Sequence, residues 1–550
     1  MLGLMQDWPL LLHRIIDHAN ANYGGRPVVT RSIEGTIEAT TYAAIHGRAL
    51  RLAKRLDREG VKLGDRVATL AWNSARHLEA WYGITGVGAI YHTVNPRLFP
   101  DQIAWIMNHA EDRLAMIDLT FVSLLEKLAG KLPAVERYVV LTDNAHMPVT
   151  SLKNAVPYED WLNEVDRDFA WKTFDENTAA GMCYTSGTTG NPKGVLYSHR
   201  SNVLHALIAN AGDMLGIMGS DVVMPVVPLF HANGWALAFA APIAGASLIM
   251  PGMKLDGASI WELLNNYKVT CTAAVPTVWL GLLQYLETVG AKLPYLQRVI
   301  IGGSACPRVV IETFQDVYGV KVMHAWGMTE MSPLGTVCSI KPVYADLSGA
   351  ARIDVQQKQG HAPFGVEMKI TDDGGRRLPW DGKTFGRLKV RGPAVARAYF
   401  KEDHEALDDE GYFDTGDVST IDPQGYMEIT DRAKDVIKSG GEWISSIEIE
   451  NLAVGHPKVA EAAVIGLQHP KWDERPLLVV VPKKGETVTC EELLAFLEGK
   501  IASWWIPDDV VVVDEIPHTA TGKIQKTALR ERFKDYVFPT AAASTSAFVP

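Results

Sequence analysis

Closely spaced cysteines are missing from this sequence of 550 residues. Its five cysteines (Cys183, Cys271, Cys306, Cys338 and Cys490) are scattered along the chain. That spacing excludes a disulfide framework and a cysteine-rich zinc site, and it fits the reduced thiols of a cytoplasmic protein. Runs of basic residues are lacking too: 53 Lys and Arg stand against 64 Asp and Glu, a formal net charge of −11. A nucleic-acid partner needs a basic face, so none is expected and a small-molecule partner is favoured. Apolar runs stay short. The most apolar stretch, 236–250, is interrupted by Pro242 and Gly245 and falls below the roughly 20 residues of a membrane span. No basic region followed by an apolar run opens the chain, so no secretory signal is expected. Ala547 to Pro550 do not form a peroxisomal address.

What is present is ordinary globular composition, with 47% hydrophobic and 21% charged residues. The length exceeds what one hydrophobic core sustains, so at least two domains are expected. Before Asp431, helical patterns alternate with short β-branched runs. His46 to Arg58 and Ala75 to Gly88 have helical periodicity, whereas Arg66 to Ala71, Tyr138 to Thr142, Val222 to Leu229 and Val299 to Gly303 read as strands. Such alternation predicts a layered α/β architecture. The texture changes near Asp431. Beyond it, helical patterns at 447–454 and 490–501 and strands at 459–465, 477–481 and 510–513 suffice for a small α+β lid domain. The predicted domains are 1–431 and 432–550.

The sharpest signal is the string Tyr-Thr-Ser-Gly-Thr-Thr-Gly-Asn-Pro-Lys-Gly from Tyr184 to Gly194. Gly187 and Gly190 allow a tight turn and let backbone N–H groups approach anionic oxygens. Thr185, Ser186, Thr188 and Thr189 add hydroxyl donors, and Lys193 adds charge. The spacing is not that of a Walker A loop. Further motifs follow in order: Ala325-Trp-Gly-Met-Thr-Glu330, Tyr412-Phe-Asp-Thr-Gly-Asp417, Asp431-Arg432 with Lys434-Asp435, Ser439-Gly-Gly-Glu442, and Pro517 to Lys526. Together these strings resemble the signature motifs of the adenylate-forming superfamily of acyl-CoA synthetases, luciferases and peptide-synthetase adenylation domains.

The resemblance spans essentially the whole chain. It implies a multidomain α/β fold, with a large N-terminal domain of layered subdomains and a small, mobile α+β C-terminal lid. It also implies a reaction: ATP activates a carboxylic acid as its acyl-adenylate, and the acyl group then passes to coenzyme A. Thr185 to Gly190 with Lys193 would hold the ATP phosphates. Glu330 and Thr185 would bind Mg²⁺ bridging phosphate oxygens, although a Glu after a Thr is by itself an ordinary surface residue. Gly302, Gly303, Ser304, Ala305, Ala325, Trp326, Gly327, Met328 and Thr329 would form the adenine and acyl walls. Asp417 would take the ribose hydroxyls, assisted by Arg432. Lys523 would reach both the acyl oxygen and the α-phosphate, where two anions meet and catalysis is charge neutralisation and alignment. Lys434 stands at the hinge position about which the lid swings. Gly440, Gly441, Glu442 and Trp443 would line a pantetheine tunnel in the second pose.

The acid is narrowed by a few positions. His231 stands near the place where amino-acid adenylation domains carry an Asp, so no ammonium partner is evident; the resemblance gives such a histidine the acid's carboxylate, while a satisfied core histidine is the plain alternative. Trp235, in a stretch read as an apolar helix, resembles the aromatic gate of fatty acyl-CoA synthetases. Trp326 replaces the commoner Tyr, and a larger ring at the pocket floor implies a short or medium acyl chain. With Met331 to Pro333, these residues resemble short- and medium-chain acyl-CoA ligases of the methylmercaptopropionate type. The expected acid is therefore 3-(methylthio)propionate, with medium or long fatty acids as the alternative and a non-catalytic nucleotide binder as a weaker one. The stretch after Lys523 is too short for a carrier domain, which favours coenzyme A as acceptor. A homodimer is implied by the resemblance.

Overall fold

The computed structural model describes residues 1, 3–185, 191–439, 442–519 and 523–539. In the N-terminal region, strands such as Cys271–Ala274 and Arg298–Ile301 are buried at every position, the pattern of parallel strands covered on both faces. They belong to an eight-stranded sheet ordered Leu334–Val337, Lys321–Gly327, Arg298–Ile301, Cys271–Ala274, Val222–Pro225, Ser247–Met250, Pro27–Arg31 and Ile37–Thr41. Only its outermost pairs are antiparallel. A seven-stranded sheet runs Val156–Pro157, Arg137–Val140, Asp112–Ile117, Arg66–Leu70, Ile90–Thr93, Ala179–Tyr184 and Gly194–Ser198.

Successive side chains of a strand point to opposite faces, so neighbours enter different cores. Val223 and Ile300 of the larger sheet join Val67 and Met116 of the smaller one in a cluster that also holds Trp81 and Phe239, from the helices Ala75–Gly86 and Leu237–Ala244. Met224, Val299 and Ile301 instead pack on the helices Gly257–Asn266 and Pro276–Val289. The far face of the seven-stranded sheet meets the helices Pro100–Ala110 and Val122–Leu128. The result is five layers, helix–sheet–helix–sheet–helix, with the shared helical layer in the centre.

Local chemistry sets the element ends. The helix expected from His46 begins at Tyr42, because the Thr41 hydroxyl accepts the Ala44 N–H at 3.3 Å and caps it. The strand expected to run to Leu229 stops at Pro225, which frees the following residues to turn into the site. A four-stranded antiparallel sheet (Glu367–Thr371, Gly386–Arg391, Phe413–Ile421, Met427–Arg432) follows. The last sheet is built on the long hairpin Val459–His469 and Asp473–Pro482, with Ile437–Ser439, Glu442–Ile444 and Asp509–Val512 beside it. Among the described residues no helix is long and apolar enough to cross a membrane.

Candidate active site

Loops leaving the carboxyl ends of Ala179–Tyr184, Val222–Pro225, Cys271–Ala274, Arg298–Ile301 and Lys321–Gly327 converge with the last two sheets on a cavity of about 850 Å³. The carboxyl ends of parallel strands are where such folds gather ligands.

One wall is built from matched polar groups. Asp417 and Arg432 face each other in the antiparallel register of Phe413–Ile421 and Met427–Arg432, and Arg432 Nε donates to Asp417 Oδ1 at 2.9 Å. Trp326 Nε1 donates to the other oxygen, Oδ2, also at 2.9 Å. Each carboxylate oxygen thus keeps a lone pair for a ligand hydroxyl. Trp326 was expected as the floor of an acyl pocket. Its indole lines the cavity, is tied to Asp417 and packs so closely on Gly335 that a Cβ there would lie 2.4 Å from the ring.

Glu330 is buried, in the short turn Thr329–Met331 after Lys321–Gly327. Burial pushes its carboxyl above the usual range, and a hydrogen bond from the Tyr399 hydroxyl at 2.7 Å partly offsets this. The Lys193 ammonium sits 4.6 Å from the centre of the same Tyr399 ring, a cation–π contact. The stems of the glycine-rich loop are pinned: Thr185 N–H donates to Lys193 O at 2.9 Å and Lys193 N–H to the Thr185 hydroxyl at 3.1 Å. Ser186, Gly187, Thr188, Thr189 and Gly190 lie outside the described residues, as do Gly440 and Gly441; Glu442 and Trp443 begin the strand Glu442–Ile444.

Lys523 reaches the cavity from the C-terminal sheet's side, where Thr519 N–H donates to Lys523 O at 2.7 Å. Burial lowers its pKa, Arg432 lowers it further, and Asp417 with Glu330 restores part, leaving it at about 8. The side chain is poised near neutrality between two carboxylates and a guanidinium.

The opposite wall is mostly apolar. His231 lines it half-buried, its pKa lowered to about 3 by burial and by the nearby Lys523 and Arg97 charges, which favours the neutral imidazole. Trp235 does not sit in a helix as expected. It belongs to the turn Ala232–Ala236, which precedes the helix Leu237–Ala244 and is left-handed throughout, with φ of 35°, 43°, 58°, 56° and 62°. For a residue with a Cβ this costs roughly 1–2 kcal/mol, and periodicity alone carries no sign of it. The turn lays the Trp235 indole against Gly302 and Gly303: a Cβ on Gly302 would meet the ring at 3.3 Å and the Ala325 carbonyl at 2.8 Å. Ser304, Ala305, Gly327, Met328, Thr329 and Pro333 also line the cavity.

Residues 16–400 match the AMP-binding enzyme family, and residues 448–523 match the AMP-binding enzyme C-terminal domain. The chain belongs to the AMP-binding enzyme family. It is 48% identical over 535 residues to a 3-methylmercaptopropionyl-CoA ligase of Ruegeria lacuscaerulensis, covering 97% of this chain and 99% of the relative. It is 44% identical to a medium-chain-fatty-acid–CoA ligase of Ectopseudomonas oleovorans, over 99% of this chain and 100% of that one. Among solved structures, an anthranilate CoA ligase in complex with anthranoyl-AMP superposes with a TM-score of 0.85 at 25% identity, over 96% of this chain and 99% of that one.

Motif matching missed some residues of this AMP-binding enzyme. Tyr399 lies outside every motif, and its partner Glu330 is 69 positions away. A second group, of which Ser446 and Glu450 lie outside the motifs while Asp431 and Lys526 belong to them, surrounds the junction after Asp431. Asp431 accepts the Ser446 N–H at 3.0 Å, and Lys526 donates to the Ser446 hydroxyl and pairs with Glu450 at 2.8 Å. Burial works against the Lys526 charge, but Glu450 and Asp431 outweigh it and raise the ammonium above its ordinary range. Lys434 stays exposed at the cavity rim beside this group.

Proposed function

We propose that this AMP-binding enzyme is an acid–CoA ligase that activates a short or medium carboxylic acid, 3-(methylthio)propionate first among them. One observation carries the proposal: Lys523, Glu330, Asp417 and His231, drawn from distant parts of the chain, face a single cavity. A carboxylate oxygen of the acid attacks the α-phosphorus of ATP; the new O–P bond forms as the bond to pyrophosphate breaks. His231, being neutral, offers one N–H to the acid and orients it without neutralising it. The positive charge comes from Lys523, placed where the two anions meet. Asp417 and Arg432 hold the ribose, while Thr185 to Gly190 and Lys193 hold the phosphates. Glu330 and the Thr185 hydroxyl fit Mg²⁺, which takes one or two carboxylates and completes its shell with phosphate and water; when bound it neutralises phosphate charge. In the second half-reaction the coenzyme A sulfur attacks the acyl carbonyl and AMP leaves.

Domains 1–431 and 432–550 pivot at Lys434 between the two half-reactions, the present pose being the one that offers Lys523 to the cavity. Lys434→Pro is therefore expected to lower thioester formation more than pyrophosphate exchange; equal losses in the two assays would remove the pivot from this residue. The similarity to the Ruegeria ligase supports the acid, and the Ectopseudomonas relative favours medium-chain fatty acids as the second reading. We place the enzyme in the cytoplasm as a homodimer, which light scattering tests directly. The functional test is AMP release with ATP and Mg²⁺ across C2 to C12 acids and 3-(methylthio)propionate, with and without coenzyme A. A coenzyme A-dependent maximum at 3-(methylthio)propionate and short acids supports the proposal. A maximum at C10 or beyond, or indifference to coenzyme A, refutes the acid or the acceptor.

A further inference from the structure

Five consecutive left-handed residues need an external hold. Within the turn Ala232–Ala236, Gly234 tolerates positive φ freely and Asn233 tolerates it through its short polar side chain, but Ala232, Trp235 and Ala236 do not. The main-chain bonds are few: Gly234 N–H donates to His231 O at 3.0 Å, and Leu237 N–H donates to Gly234 O. Asn233 is 3% exposed, and its amide is engaged at both ends. Nδ2 donates to the Tyr91 hydroxyl at 3.3 Å, and Oδ1 lies 3.2 Å from the Thr93 hydroxyl, which is shared with the Met182 carbonyl at 3.3 Å.

Tyr91 and Thr93 are two apart on the strand Ile90–Thr93 and so share one face. Tyr91 cannot move aside. Its ring stacks on Trp81 at 4.7 Å between centroids, and a Cβ on Gly181 would lie 2.5 Å from it. The seven-stranded sheet thereby grips a turn that hangs from the eight-stranded sheet, through the Asn233 amide and through Cys183, whose thiol meets the Phe230 carbonyl and the Ala232 and Asn233 backbone N–H groups.

We propose that Asn233 is a positioning residue: by anchoring the left-handed turn to Tyr91 and Thr93 it fixes His231 and Trp235 together against the acyl pocket and so sets which acids the enzyme accepts. This rests on the acyl-pocket reading given above. Asn233 touches neither the acid nor ATP; it acts through its two neighbours. Removing the amide while keeping a backbone that accepts positive φ separates anchoring from backbone preference, which makes Asn233→Gly the informative variant.

The experiment measures kcat and KM for C3 to C10 acids, KM for ATP and the melting temperature in Asn233→Gly, Thr93→Val and Trp235→Ala. Asn233→Gly is expected to lose roughly ten- to hundredfold in kcat/KM for its best acid, as misplaced positioning groups do, and to flatten the chain-length profile while KM for ATP stays within about twofold. Thr93→Val, nearly isosteric, is expected to show a smaller change in the same direction and keeps the test open if Asn233→Gly does not fold. An unchanged acid profile in Asn233→Gly and Thr93→Val, or acid and ATP constants worsening together, overturns the proposal. If Trp235→Ala moves the profile and these two do not, only the anchoring role of Asn233 falls. If Trp235→Ala leaves it unmoved, the pocket reading falls and the anchoring role with it.

Discussion

The two walls of the cavity are built by opposite means. On the nucleotide side, Asp417, Arg432, Glu330 and Tyr399 sit on or beside strands, and the Asp417 and Glu330 carboxylates are met by Arg432, Trp326 and Tyr399 at 2.7 to 2.9 Å. On the acyl side, a left-handed turn held from outside presents one neutral histidine and one indole. Strand register repeats reliably, so it suits groups whose ligand never changes. A turn that relies on distant contacts for its shape can be altered without disturbing the sheets, which suits a wall that must choose among acids. In the proposed reading, chemistry is fixed on one side and selectivity is tunable on the other.

The comparison breaks most visibly at Lys523. Lys523→Ala is expected to slow acid-dependent ATP–pyrophosphate exchange by at least about 10²- to 10³-fold, the scale of losing one preorganised charge donor. Asp417→Ala comes next. It removes hydrogen bonds to a charged group, each about 1.5–3 kcal/mol, so KM for ATP should rise roughly ten- to hundredfold with the acid profile unchanged. Titration of Lys523 sharpens the same wall. The ammonium is the active form and its pKa is about 8, so kcat/KM for exchange should be flat below that pH and fall about tenfold per unit above it; in Lys523→Arg the alkaline limb should vanish, because guanidinium stays protonated. The stability sign is opposite. A folded pKa below the ordinary 10.5 penalises the charged form fully below about pH 8, and this penalty is relieved as the pH climbs towards 10.5. The smallest effect belongs to the other wall. Trp235→Ala should shift relative kcat/KM towards longer acids by about tenfold, leaving KM for ATP alone.

The same contrast explains what was legible in the sequence. Asp417, Glu330, Lys193 and Lys523 stand in the ordered strings that carry the resemblance, and the fold brings all four to one cavity. The layered α/β architecture was legible through strand patterns such as Arg298–Ile301, but the number of layers was not. The acyl wall was not. The stretch from Ala232 through Ala244 is apolar and reads as helix, and only Asn233-Gly234, two residues tolerant of positive φ, hinted at a turn. The helix start at Tyr42 carried its signal in Thr41, a capping residue beside the expected boundary. Tyr399 carried none, because its role arises only when 69 intervening positions fold it against Glu330.

The most direct test of the account supplies Lys523→Ala with preformed acyl-adenylate and coenzyme A and measures thioester formation. Near-wild-type thioester formation beside crippled pyrophosphate exchange is the predicted result, since Lys523 serves only the charge that builds at the α-phosphate. Equal loss in both half-reactions would contradict the assignment of Lys523 to adenylation and the division of labour built on it.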